Sequence, residues 1–193
     1  MPLAPLELAR MTFNRNRKFA GVALAIAISL FALASILVVA ADKNPENSNI
    51  TLKEVDPRQF DQIVAKHRGK VLLVDFWATW CAPCKEMFSN TVELHRKYHA
   101  RGLDVISISF DEPEELESAL EFLRQKGATF TNLISSEGFD SADAFQIDNG
   151  ALPHYRLYDR SGKLVRKFVS GDPDAVFKEM EIETAVKALL DNK

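Results

Sequence analysis

Cys81 and Cys84 are the only two cysteines in a chain of 193 residues, and Ala82 and Pro83 separate them. At this spacing the second thiol reaches the first sulfur and closes a disulfide, so the pair can open and close as a dithiol. Pro83 suits the first turn of a helix. Just upstream, Val71 to Val74 form an apolar run of strand length, rich in Val and Leu. A buried strand therefore delivers two cysteines to a helix N-terminus. Unpaired backbone N–H groups and the helix dipole make that position electropositive. A thiolate is stabilised there, its pKa falls, and it becomes a nucleophile near neutral pH. The competing use of the pair is half of a zinc site, which needs four ligands. No third cysteine exists, and His95 and His99 stand about four turns further along the same helix, so no metal is expected.

The full stretch from Val71 to Lys85, VLLVDFWATWCAPCK, resembles the active-site segment of thioredoxin-fold proteins. The preceding strand, Asp75, Trp77, Trp80, Pro83 and Lys85 all agree with that family. The resemblance implies an α/β thioredoxin fold, a central mixed sheet flanked by helices, and thiol–disulfide exchange with no cofactor beyond the cysteine pair. It makes Cys81 the attacking thiol and Cys84 the resolving one. Position on the helix gives the same order, the first cysteine at the exposed terminus and the second a turn further in. Asp75, on the buried strand beneath Cys84, becomes the acceptor for the Cys84 proton, its pKa raised by desolvation. The alternative role for Asp75 is a hydrogen-bonded structural acid. Thioredoxin pairs this acid with a Lys on the next strand; the matching position here is Ser107, so that Lys is missing.

The elements that must hold this segment follow from periodicity. Ile50 to Val55 reads as a first strand. Asp56 and Pro57 read as an N-cap and first helical residue, and Gly69 ends that helix. The helix carrying the cysteines runs to about Ala100, with Met87, Phe88, Val92, Leu94 and Tyr98 inward and His95, Arg96, Lys97 and His99 solvated. Leu103 to Phe110 is a strand. Asp111, Glu112 and Pro113 open a helix whose Leu116, Ala119, Leu120 and Leu123 share a face, with Gly127 as its cap. Thr129 to Ile134 reads as a strand, Ser141 to Ile147 as a short helix, and Glu179 to Asn192 as a closing helix.

Compared with a plain thioredoxin, about 25 residues, a helix plus a strand, are inserted after the third strand. The insertion is similar to that of the membrane-anchored TlpA-like group, of cytochrome c maturation reductases and of peroxiredoxins. Ala151 to Lys163 resembles the family's cis-Pro strand and hairpin. By that resemblance Pro153 lies against the cysteine pair with a cis bond after Leu152, and the Leu152 backbone pairs with bound substrate. Trp80 and Pro83 join them as substrate-contacting residues. His154, directly after Pro153, could favour the Cys81 thiolate as a cation, but adjacent strand positions point to opposite faces, and we expect it to face away.

Charge and hydropathy divide the chain. Residues 1–18 are a basic tail, and residues 19–41 are 23 uncharged, mostly apolar residues. That run is long enough to cross a bilayer, and the basic residues before it predict a cytoplasmic N-terminus, with the domain on the periplasmic or extracytoplasmic side. The rival is a cleaved signal peptide ending at Val39-Ala40-Ala41, for which the run is long. Residues 42–49 read as a polar linker and residues 50–193 as the thioredoxin-like domain. The first 41 residues hold four of the 24 basic and one of the 27 acidic side chains, which leaves residues 42–193 at net −6. No basic stripe suggests nucleic acid. The expected function is an exported, anchored oxidoreductase acting on protein thiols and disulfides, a reductase recharged by a membrane electron donor. An oxidant on the same fold and a non-catalytic adaptor are the alternatives. A peroxiredoxin-type peroxidase is disfavoured, because Val74 and Ala78 stand where its Pro and Thr/Ser belong.

Overall fold

A computed structural model describes residues 49–170 and 177–192. The basic tail, the apolar run of residues 19–41 and the linker up to residue 48 lie outside the described residues. No helix among the described residues is long and apolar enough to cross a membrane.

The strands are β1 (Lys53–Val55), β2 (Val71–Trp77), β3 (Leu103–Ser109), β4 (Thr131–Ser135), β5 (His154–Tyr158) and β6 (Leu164–Val169). The helices are α1 (Pro57–Lys66), α2 (Ala82–Tyr98), α3 (Leu116–Lys126) and α4 (Glu179–Asp191). One sheet joins the strands in the order β1-β4-β3-β2-β5-β6. β1, β4, β3 and β2 run parallel, and β5 and β6 add an antiparallel hairpin. The first strand is shorter than expected, Lys53–Val55 rather than Ile50 to Val55, and the inserted strand, β4, lies between β1 and β3 and pairs with both.

β2 sits near the centre of the sheet with all seven residues buried, which is why its sequence is apolar at every position but Asp75 rather than alternating. Its side chains still divide by parity. Leu72, Val74 and Phe76 face the α1 side with Phe60, Ile106, Ile108 and Phe145. Val71 and Leu73 face the α2 and α4 side with Leu94, Val105, Tyr155, Ile182 and Val186. Trp77 continues that second face toward the cysteines, packing with Phe88 and Phe122 at ring-centroid distances of 5.0 and 4.8 Å.

Helix boundaries follow local chemistry. Asp56 caps α1 through a reciprocal pair: its carboxyl accepts from Gln59 N–H at 2.8 Å, and the Gln59 side chain accepts from Asp56 N–H at 3.0 Å. α3 ends at Gly127, whose φ of +68° lies in the left-handed region that a glycine enters without steric cost.

Two expectations are corrected. Asp111 does not open the following helix: Glu112 caps a short 3₁₀ turn, Pro113–Glu115, and α3 proper begins at Leu116. The short helix expected over Ser141 to Ile147 is a 3₁₀ turn, Gly138–Ser141, followed by irregular turns. Gln146 has a φ of +57°, which stops helical propagation. The buried Arg156 guanidinium, not a helical N–H, takes the carbonyls of Phe145 and Gln146. Ala142, Phe145 and Ile147 are buried in the α1-side core, so packing overrides helical periodicity in this stretch.

Candidate active site

At the carboxyl end of β2 the chain turns through Ala78–Trp80 and enters α2. Cys81 is the N-cap of α2, with φ −86° and ψ 97°, and its sulfur accepts the Cys84 backbone N–H at 3.3 Å. Cys81 and Cys84 form a disulfide with their Cα atoms 5.3 Å apart. The sulfur of Cys81 thus occupies the place where a capping oxygen commonly meets the unpaired N–H groups of the first turn. This is the electropositive position the sequence implied.

Cys81 is less exposed than expected. In the disulfide form it is 6% exposed and Cys84 1%, because Trp77, Ala78, Phe88 and the partly buried Leu152 pack around the pair. The order of depth along the helix is as expected; the difference in exposure is small. Ala82 and Pro83 are exposed. Trp80 is 54% exposed, with its ring edge-on to Phe139 at 5.2 Å. The Leu152–Pro153 peptide is cis, as the resemblance implied.

Asp75 shares the inward face of β2 with Val71, Leu73 and Trp77, the face α2 covers. It is 1% exposed, and burial pushes its carboxyl up to about 7, with the Thr91 and Tyr155 hydroxyls pulling partly the other way. Thr91 Oγ1 donates to Asp75 Oδ2 at 2.6 Å, and Oδ1 has no hydrogen-bond partner. Thr91 follows Cys84 by seven residues, two turns, so both project from one face of α2. Tyr155 is the cross-strand neighbour of Asp75 on β5, and burial, then the Asp75 charge, hold its hydroxyl well above the usual phenol range. Ser107 is the cross-strand neighbour on β3, as the alignment with the missing Lys anticipated. Its hydroxyl donates to Asn132 Oδ1 at 2.8 Å rather than to Asp75. Among the described residues, the buried acid therefore takes its one hydrogen bond from Thr91 and none from the position that matches thioredoxin's lysine.

His154 pairs with Phe76 across β2 and β5, and its ring meets Phe76 edge-on at 5.4 Å on the α1 face. The cysteines lie on the other face, so His154 does not reach them. His95 departs from expectation: it is half-buried against Phe130 at 5.3 Å. Burial, then the neighbouring His99, lower its pKa.

Thr91, Tyr155 and Asp111 are site residues that sequence reasoning missed. Thr91 was detectable in principle as a hydroxyl on the inward face of α2. Asp111 follows an apolar strand at its carboxyl end, where open parallel sheets gather functional groups.

Three comparisons fit this geometry. Residues 40–186 match the family described as Redoxin. Thiol-disulfide oxidoreductase ResA of Bacillus cereus (strain ZK / E33L) is 31% identical over 102 residues, 53% of this chain and 56% of that protein. ResA of Geobacillus thermodenitrificans (strain NG80-2) is 30% identical over 105 residues, 54% of this chain and 57% of that protein. The chain thus spans little more than half the length of the curated relatives it matches. A crystal structure from Chlorobium tepidum, described as a thiol:disulfide interchange protein DsbE, is 28% identical with a TM-score of 0.54, covering 66% of this chain and 84% of that one. The fold is thioredoxin-like, and the chain belongs to the Redoxin family.

Proposed function

We propose that this chain is a thiol–disulfide oxidoreductase that reduces protein disulfides through Cys81 and Cys84. The carrying observation is the Cys81–Cys84 disulfide at the N-cap of α2, with Cys84 and the Asp75 partner Thr91 on one helix face. The Cys81 thiolate attacks a substrate disulfide and forms a mixed disulfide, and the first substrate thiolate leaves. Asp75, with a pKa near 7, takes the Cys84 proton. The Cys84 thiolate then attacks Cys81, and the second substrate thiolate leaves. Two electrons and two protons pass to the substrate, and the enzyme is left with its disulfide closed. The exposed Trp80 and Pro83, together with the Leu152–Pro153 backbone, form the surface against which the substrate strand lies.

The 23-residue uncharged run behind a basic tail supports an N-in, single-pass anchor and a domain outside the cytoplasm. A reductase placed there is recharged by a membrane electron donor. The TlpA-like character of the insertion favours substrates such as the cysteines of c-type cytochromes or metal sites. The test is dithiothreitol-driven reduction of insulin disulfides. Turnover that disappears in Cys81→Ser supports the reading. Absence of turnover in the wild type points instead to an adaptor whose disulfide stays closed.

A further inference from the structure

Asp111 is 0% exposed and sits two residues past the end of β3. Both of its carboxyl oxygens accept hydrogen bonds. Thr79 donates its backbone N–H at 2.9 and 3.0 Å and its hydroxyl at 2.5 Å. Ser109 donates its hydroxyl at 2.5 Å and accepts the Asp111 N–H at 3.0 Å. No Lys or Arg pairs with this carboxyl among the described residues. A buried carboxyl without a cation carries a desolvation cost that only its hydrogen bonds offset. Glu112, not Asp111, caps the next turn, so capping does not account for it.

The recipient of these bonds is informative. Thr79 lies in the turn between β2 and α2, closed by Cys81 N–H to Ala78 O at 3.2 Å. Phe110 N–H to Trp77 O at 2.8 Å ties the end of β2 to the end of β3 immediately behind it. The turn is thus clamped from the β3 side at the residue two before Cys81. We propose that Asp111 is a positioning residue for Cys81: it fixes Thr79 so that the Cys81 sulfur stays aligned with the N–H groups of the first turn of α2. The proposal rests on the oxidoreductase reading for its functional meaning but not for its geometry.

Alkylation of Cys81 by iodoacetamide, followed against pH in the reduced full-length protein, tests it. In Asp111→Asn the loosened turn loses part of the N-terminal stabilisation, and the alkylation midpoint rises by about one pH unit toward that of an ordinary thiol. Loss of a nearby negative charge alone favours the thiolate and lowers the midpoint, so the direction separates positioning from electrostatics. A folded Asp111→Asn with an unchanged or lowered midpoint overturns the proposal. Should that variant not fold, Thr79→Val keeps the charge and removes only the hydroxyl bond. Its midpoint rises by less, Thr79→Ser keeps the wild-type value, and an unmoved Thr79→Val overturns the proposal. Insulin reduction by the wild type runs alongside. An inactive wild type with a raised Asp111→Asn midpoint rejects the oxidoreductase reading alone.

Discussion

Thr91 donates its hydroxyl hydrogen to Asp75 across 2.6 Å, joining the helix that carries both cysteines to the strand that holds the buried acid. The bond stabilises the ionised carboxylate against a larger desolvation effect of the opposite sign. Thr91→Val removes the donor and keeps the shape. The Asp75 pKa then rises further above 7, and the pH at which insulin reduction is half-maximal moves to a more alkaline value. A pH–rate profile superimposable on that of the wild type would show that Asp75 does not limit the reaction.

Burial of Asp75 also makes stability depend on pH in a defined direction. Its folded pKa, about 7, exceeds the ordinary 3.8, so between these values the native state holds a proton that the unfolded chain has lost. The stability linked to this group is complete below pH 4 and declines as pH rises through 7. The full span is on the order of 4 kcal/mol. Asp75→Asn removes that slope. Urea unfolding of the oxidised protein at pH 5 and pH 8 should show wild type losing stability relative to Asp75→Asn at the higher pH. Equal pH dependence of the two proteins contradicts the assignment.

Trp80 separates recognition from folding. Its ring is 54% exposed, so Trp80→Ala should change unfolding free energy by less than about 1 kcal/mol. The substrate-contact role implies a raised KM for insulin reduction with little change in the Cys81 alkylation profile. A normal KM removes Trp80 from the substrate surface.

The anchor is tested at the protein level. Mass spectrometry of the membrane fraction should recover peptides from residues 1–18 attached to the chain. A mature N-terminus at Asp42 contradicts the anchor and leaves export intact.

The parts of the fold legible in sequence were those in which local pattern and tertiary demand agree. β2 reads as a buried strand because every residue is apolar except Asp75, and α1 and α3 carry their own caps at Asp56 and Gly127. The cysteine pair and Pro153 were legible from motif and order. Failures came where the partner is distant in sequence. Arg156, from β5, takes the carbonyls of Phe145 and Gln146, and Gln146 enters the left-handed region at φ +57°, so the chain leaves helical geometry within residues 141–147. Asp111, with Glu112 and Pro113, read as the opening of a helix, yet its partner is Thr79, 32 residues earlier. His95 read as solvated because its helical neighbours are charged, while Phe130 from beyond α3 covers it.

The central claim is the division of labour between the cysteines: Cys81, the N-cap of α2, attacks, and Cys84, one turn in, resolves. Trapping of mixed disulfides tests it most directly. Non-reducing electrophoresis of cells producing Cys84→Ser should show reducible higher-mass bands, and sequencing them names the substrates. Cys81→Ser should show none, because its remaining thiol lies buried beneath the turn. Bands from Cys81→Ser and none from Cys84→Ser would contradict the account.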